Sequence, residues 1–326
     1  MPAVRPGTVL RCFPEWERSW TDTDQRGPGV SEDHGVGSTL PRRQLGRALR
    51  EAREGMGLSL EQAAKLMEWG KSTLGRLEKG QAERVRIREI DDLCQIYGLP
   101  DEQTGVLKTL ATQASTRSWW YSFTDLIAAG FNTYLGLEAG AARLSFYQPL
   151  VVPGLLQTAE YARAMDRVYF PDDDDIESDR RIELRIRRQA VLARKRSPAV
   201  ADVIVHENVL RTVVGSPKVM AAQLRRLADI GTTDNVSVRV LPFHAGLPLG
   251  VGMSPFVILD FAPTARGDVE PTVVFAENYT GGMYFEEVSD VTRYRAAHRT
   301  LGAAALPVLP SRSLLRETAR RFDSEQ

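Results

Sequence analysis

Between Lys71 and Arg86 the chain gathers side chains suited to the edges and phosphates of a nucleic-acid duplex. Lys71, Ser72, Thr73, Arg76 and Lys79 stand close together, and Arg84 and Arg86 follow. Arginine can grip guanine through two parallel N–H donors, serine and threonine can bond any base edge, and lysine reaches guanine or phosphate. At about 100° per residue, a helix here puts Leu74, Leu77 and Glu78 on one side. Lys71, Ser72, Thr73, Gly75, Arg76 and Lys79 fall on the other, which holds no large apolar group. Gly75 costs such a helix about 1 kcal/mol against alanine. Its missing side chain would let either a groove or a neighbouring helix come close. An ordinary solvated helix could have the same composition, so the surrounding elements must decide.

Those elements begin with the run LSLEQAAKLMEWGKSTLGRLEKG, Leu58 to Gly80. Ser59 and Gln62 fit a capping box ahead of a helix whose apolar side is Ala63, Ala64 and Met67. Trp69-Gly70 breaks that helix, Ser72 can cap or open the next, and Gly80 suits its end. Two short helices so joined form a helix-turn-helix, which lays its second helix in the major groove. Upstream, Leu45, Leu49 and Ala52 predict a helix from about Pro41 to Glu54. Downstream, Ile90, Leu93, Cys94 and Tyr97 predict a fourth over about Arg88–Tyr97. Val106, Leu107 and Leu110 predict a fifth, capped by Asp101. In the connecting QAERVRIREI, Arg84, Arg86 and Arg88 alternate with Val85 and Ile87, as phosphate contacts or as a solvated basic loop.

Over about residues 40–115, the patterns L-x-x-x-R-E-x-x-G-L-S and S-T-L-G-R-L-E-K-G resemble the Xre/phage-repressor family of helix-turn-helix proteins. The resemblance implies an all-α, five-helix, lambda-repressor-like DNA-binding domain over residues 39–115. It implies that Lys71, Ser72 and Arg76 face bases, and that Glu78 forms a structural ion pair with Arg53 of the first helix. That family usually has glutamine after the first capping residue, on a backbone phosphate; here Leu60 stands there.

The chain has 42 Lys and Arg against 42 Asp and Glu, which argues against a general polyanion binder. Between Leu40 and Ile90, however, 12 basic residues meet 7 acidic ones, the asymmetry of a nucleic-acid-binding head on an acidic body. No apolar run approaches the roughly 20 residues needed to span a bilayer, and no apolar signal-peptide core is evident. Cys12 and Cys94 are the only cysteines, and the histidines are scattered. These features predict a cytoplasmic, nucleoid-associated protein without disulfide, metal or cofactor. Residues 1–38, rich in Pro, Gly, Ser, Thr and charge, read as a disordered tail. Two other readings stand beside it: Trp16 and Trp20 form one docking turn, or the start site is assigned too far upstream.

The second half, residues 116–319, reads as a larger α+β domain followed by a tail, 320–326. STRSWWYSF suits packing at the domain boundary better than base stacking. Residues 132–146 look helical, a helix starts near Thr158, and PDDDD leads into a long helix over about Ile176–Lys195. The many arginines of that helix fit a covering amphipathic helix better than a second polyanion surface. ADVIVHENVL, NVSVRVLPF, FVILDF and TVVFAENY read as strands, the last ones antiparallel, with helices over about 217–229 and 286–305 and a small basic helix at the end. The order of SWWYSF, YLGLEAGAARLSFYQPLVVPGLLQTAEYARA, RRIELRIRRQAVLAR, VLPFHAGLP and FVILDF resembles an uncharacterised domain that follows Xre-type heads in many actinobacterial regulators. HEN near Glu207 departs from a more usual acidic dipeptide. This resemblance implies a regulatory role, often beside a small neighbour-encoded partner protein in antitoxin-like arrangements, and no catalytic residues.

His206, Glu207, His244 and Glu277 are the polar residues best placed for chemistry. No nucleophile elbow, phosphate loop or dinucleotide fingerprint accompanies them, so no enzyme is expected. A ligand pocket near VLPFHAGLP, Phe256 and Tyr279 is the other use of this region. The reading is a sequence-specific transcriptional regulator that binds double-stranded DNA as a homodimer, its second domain taking a small protein or a ligand. The alternative is an antitoxin-like protein that mainly sequesters a small partner and autoregulates its promoter.

Overall fold

The computed structural model describes residues 39–82, 84–116, 118–127, 130–263, 267, 269–279 and 281–324. The tail expected over 1–38, with Cys12, Trp16 and Trp20, lies outside the described residues. The head contains α1 (Thr39–Gly55), α2 (Leu60–Leu66), α3 (Lys71–Glu78), α4 (Ile87–Ile96) and α5 (Asp101–Ser115). Each turns its apolar positions, spaced three or four apart, into one core. That core holds Leu45, Leu49, Ala63, Ala64, Leu74, Leu77, Ile90, Leu93, Cys94 and Leu107.

A 3-10 helix (Trp119–Leu126) opens the second half. It is followed by α6 (Phe131–Gly140), β1 (Arg143–Gln148), α7 (Ala159–Tyr169), α8 (Asp175–Arg188), α9 (Ala190–Ala193) and β2 (Val200–His206). Next come α10 (Glu207–Arg211), α11 (Pro217–Ile230), β3 (Val236–Leu241), β4 (Phe256–Asp260), β5 (Val273–Asn278), β6 (Gly281–Phe285), α12 (Val288–Ala304) and α13 (Val308–Ser324). The six strands form one mixed sheet in the order β3-β2-β1-β4-β5-β6. Helical crossovers make β1, β2 and β3 parallel, whereas shorter links make β4, β5 and β6 antiparallel. This is an α+β domain with helices on both faces. Phe146, Val203 and Val238 face Leu224 of α11 and Leu315 of α13. Their neighbours Tyr147 and Ile204, with Phe256 and Ile258, face Leu301 and Tyr294 of α12.

Several expected boundaries shift, each for a visible reason. Gly70, not Ser72, occupies the N-cap of α3 and makes no side-chain cap bond. Pro100 holds that position for α5, and Asp101 is its first residue. The inner stripe of α5 is Leu107, Ala111 and Ala114 rather than Val106, because small alanines allow close packing against α1. The helix expected over 132–146 stops at Gly140, and RLSFYQ pairs as the central strand β1. The helix expected to reach Lys195 is broken at Gln189. Strand β6 was not anticipated; Gly281-Gly282 interrupts any apolar alternation. The tail expected over 320–326 is helical through Ser324, since Ala319 and Phe322 bury themselves in the body's core.

The arginines of α8 are taken up within the body. Arg180 bonds Asp125, Arg185 reaches Gln157 and Asp166, and Arg188 makes a bidentate pair with buried Glu138 at 2.8 and 2.9 Å. This helix covers the core, as its amphipathic pattern suggests.

Head and body meet along α1 and α6. A Cβ added at Gly136 would lie 1.9 Å from the Thr39 hydroxyl oxygen, and one at Gly140 would lie 2.6 Å from Leu40 Cδ2. Beside this seam the fully buried Glu270 carboxylate takes Arg43 at 3.0 Å and Arg47 at 2.8 Å. Arg43 also makes two bonds to Glu286. Trp120 and Phe123 pack on Leu135 and Leu184 next to it. Gly136→Val should therefore cost about 1–3 kcal/mol by overpacking. The readout is the urea midpoint of the full chain, and an unchanged midpoint would show that the seam is not tightly packed.

Candidate nucleic-acid interface

The turn from α2 to α3 is built by local chemistry. The Ser59 hydroxyl accepts the Gln62 backbone N–H at 3.2 Å, and the Gln62 side-chain oxygen Oε1 accepts the Ser59 N–H at 2.8 Å. This reciprocal cap starts α2. Gly80 ends the second helix with φ +70°, where its backbone closes on Arg43; a Cβ there would lie 2.9 Å from the Arg43 backbone. No side chain larger than hydrogen fits.

On α3 the two sides separate as the spacing predicts. Leu74, Leu77 and Glu78 are buried, while Lys71, Ser72, Thr73, Arg76 and Lys79 are exposed. Gly75 is the exception to the expected outward set. It is half-buried, and an added Cβ would lie 3.4 Å from Leu60 Cδ2. Leu60, where the resembling family has glutamine, thus packs inward between α2 and α3. Arg76 and Lys79 have no ion-pair partner among the described residues. Lys71 approaches Glu61 only at 3.9 Å across open solvent. No side chain caps Gly70, and the helix dipole adds partial positive charge at this end of α3.

In the following loop Val85 is buried, and Arg84 and Arg86 are exposed on either side of it. Arg86 also bonds Glu89 at 2.9 Å. Such an exposed pair contributes little and yields easily to phosphate. Ile87 is exposed at the first position of α4 rather than turned inward.

Behind the exposed face lies a buried charge cluster. Arg53 Nε and Nη2 donate to the two Glu78 carboxylate oxygens at 2.7 and 3.0 Å, and Nη1 donates to the Leu58 carbonyl at 2.7 Å. Arg50 approaches the same carboxylate at 3.5 Å, a contribution the sequence reading missed although Arg50 stands one turn from Arg53. The hydrogen bond to Glu78 raises the Arg53 pKa against the opposing effect of burial. Burial, with Glu78 nearby, pushes the Tyr97 hydroxyl up to about 12.

Among the polar residues of the second half, Glu207 is placed differently from the expectation. Glu207 begins α10 instead of lying on the strand. Its carboxylate accepts from Arg211 at 2.6 Å and from the Phe243 N–H at 2.9 Å. Burial raises its pKa, but these two partners outweigh that and lower it. His206 caps the same helix, its Nδ1 accepting the Asn208 N–H at 3.1 Å. His244 is exposed in a 3-10 turn after β3, and Glu277 lies near the end of β5, where its side chain is exposed. Phe256 is buried under α12, and Tyr279 is exposed in the β5–β6 turn.

A two-helix motif with an exposed cationic and hydroxylic second helix defines a helix-turn-helix protein of the DNA-binding regulator class. Residues 44–107 match the family model described as a helix-turn-helix domain. Residues 131–317, more than half of the chain, match the domain of unknown function DUF5753, and the chain belongs to that family. No curated protein matches it. Among the described residues no helix is long and apolar enough to cross a membrane.

Removing one member of a buried pair strands the other charge at a cost of about 3–5 kcal/mol, whereas replacing both with apolar groups is close to neutral. Arg53→Ala should lose that much stability in urea denaturation of the full chain. Arg53→Met combined with Glu78→Leu should recover most of it. Equal losses in both variants would show that the pair does not hold α3.

Proposed function

We propose that this chain is a sequence-specific transcriptional regulator of the Xre type, acting in the cytoplasm as a homodimer on paired half-sites and performing no catalysis. The observation that carries the reading is the exposed face of α3. It presents Lys71, Ser72, Thr73, Arg76 and Lys79 on a helix whose other face is fixed by leucines and by the Arg53–Glu78 pair. Side chains near the start of a recognition helix reach base edges in the major groove. Arg76 suits guanine, Ser72 and Thr73 suit either base-edge donors or acceptors, and Lys71 and Lys79 suit guanine or phosphate. Arg84 and Arg86 lie where a loop after that helix meets the sugar–phosphate backbone. The body then serves as the part that receives a small protein or a ligand.

Selection of bound duplex from fragmented genomic DNA, followed by anisotropy titration, tests this directly. Arg76→Ala should weaken the selected duplex by about 1–3 kcal/mol and relax preference at one position. A loss of equal size on random duplex would contradict base reading by Arg76. Arg84→Ala should instead weaken all duplexes alike and reduce the slope of log affinity against log salt by about one unit. An unchanged slope would remove Arg84 from the phosphate contacts. If no duplex is preferred at moderate ionic strength, the regulator reading itself fails.

A further inference from the structure

The parallel half of the sheet ends in a cleft. Strands β1, β2 and β3 run in register, Gln148 beside Val205 and His206 beside Leu241, so their carboxyl ends share one edge. The cleft opens there with a volume of about 320 Å³. Small-molecule sites measure about 300–1,000 Å³. Open α/β sheets bind ligands outside the carboxyl ends of their strands, where the topology switches. Here the switch is β1, which is parallel to β2 and antiparallel to β4.

Its lining is chemically uneven. Leu150, Phe243, Leu247 and Val251 form an apolar rim, all more than half exposed. Leu241, Met253 and Leu301 lie among them. Three polar side chains interrupt this apolar surface. Tyr147 is only 7 % exposed, yet its hydroxyl has no partner among the described residues. Because His206 Nδ1 accepts the Asn208 N–H, its Nε2 carries the ring proton and is a donor. Asn208 spends its amide nitrogen on the Pro149 carbonyl at 3.4 Å, which leaves its side-chain oxygen unspent. None of the described lining residues is acidic, and the only basic one is His206. The loop over the mouth, residues 246–253, turns at Gly246 and Gly250, both with positive φ.

We propose that this cleft binds a small, uncharged, mostly apolar molecule that carries a carbonyl or similar hydrogen-bonding head. This rests on the reading that the body receives an effector, and it names the effector's chemistry. An apolar rim removes the ligand's carbon skeleton from water, and the Tyr147 hydroxyl and His206 Nε2 donate to its carbonyl. A charged ligand would find no countercharge among these residues. A flat protein surface would cover the exposed rim but leave Tyr147, a residue only 7 % exposed, without a hydrogen-bond partner, which favours a small occupant.

The neutral, carbonyl-bearing fluorophore prodan serves as probe, titrated into the full chain. Saturable binding of one probe per chain with blue-shifted emission is expected. Leu247→Asp, at a position 67 % exposed and therefore harmless to folding, should weaken the probe about tenfold by placing a charge against it. Tyr147→Phe should weaken it about threefold while keeping the ring. Val168→Asp, on α7 at a position 83 % exposed, lies outside the cleft and should leave affinity unchanged. Unsaturable binding, or equal affinity in Leu247→Asp and wild type, overturns the assignment. So does a polypeptide retained by the chain and released by Leu247→Asp when prodan does not bind. Duplex binding measured on the same preparations separates this failure from failure of the regulator reading, because the cleft variants leave α3 untouched.

Discussion

Two carboxylates with almost no access to water, Glu78 and Glu270, constrain the whole arrangement, and both are neutralised from α1. Arg50 and Arg53 serve Glu78; Arg43 and Arg47 serve Glu270. A buried carboxylate without a cation is costly, so neither acid tolerates much displacement of α1. The gain is orientation more than net stability, because desolvating both partners consumes much of their attraction. One end of α1 therefore sets the pose of the recognition helix, and the other sets the pose of the body. Gly136 and Gly140 complete the constraint by letting Thr39 and Leu40 sit where any side chain on α6 would collide.

This frame also explains how a chain of zero net charge can present a cationic face. The body is rich in arginine, but Arg180, Arg185, Arg188, Arg211, Arg239 and Arg295 each meet a carboxylate of the body itself. On α3, by contrast, Arg76 and Lys79 meet no carboxylate among the described residues. Unpaired cations on a fixed helix project a field toward a polyanion; paired ones largely cancel over a Debye length of about 8 Å at physiological salt.

Much of the head was legible because its signals are local. The Ser59–Gln62 box, the three-and-four spacing of Leu74, Leu77 and Glu78, and Gly80 at positive φ each depend on residues within one or two turns. Gly75 was open to two readings because its role depends on Leu60, fifteen residues earlier and on another helix. In the body, β2 and β3 stood out through alternating valines. Strand β1 was hidden because RLSFYQ follows a helix after only two residues, and its apolar groups serve both faces of a central strand. Strand β6 escaped notice because a glycine pair carries no pattern, and Gly282 is explained only by the Phe275 ring across the sheet, 2.1 Å from where a Cβ would stand. Glu270 could not have been singled out at all. Its partners lie more than 220 residues away, and nothing near it in the chain announces burial.

The rigid seam limits how any event in the body can be felt by DNA. Releasing the head would expose Glu270, break its bonds to Arg43 and Arg47, and uncover the Gly136–Gly140 groove together. A ligand in the body could release the head only by a differential affinity for the two states large enough to offset all of these losses together. In the proposed homodimer, the lower-energy route keeps α1 docked and moves two whole chains relative to one another. Recognition helices in paired half-sites must stand about 34 Å apart, or a multiple of that, to meet successive major-groove faces. In that proposed dimer each α3 is fixed to its own body, so the separation would be set wherever the bodies touch, and small changes between bodies would become changes in spacing at the DNA. On that proposal, the buried acids under α1 convert the body from a tethered passenger into the part that determines whether both recognition helices can be seated at once.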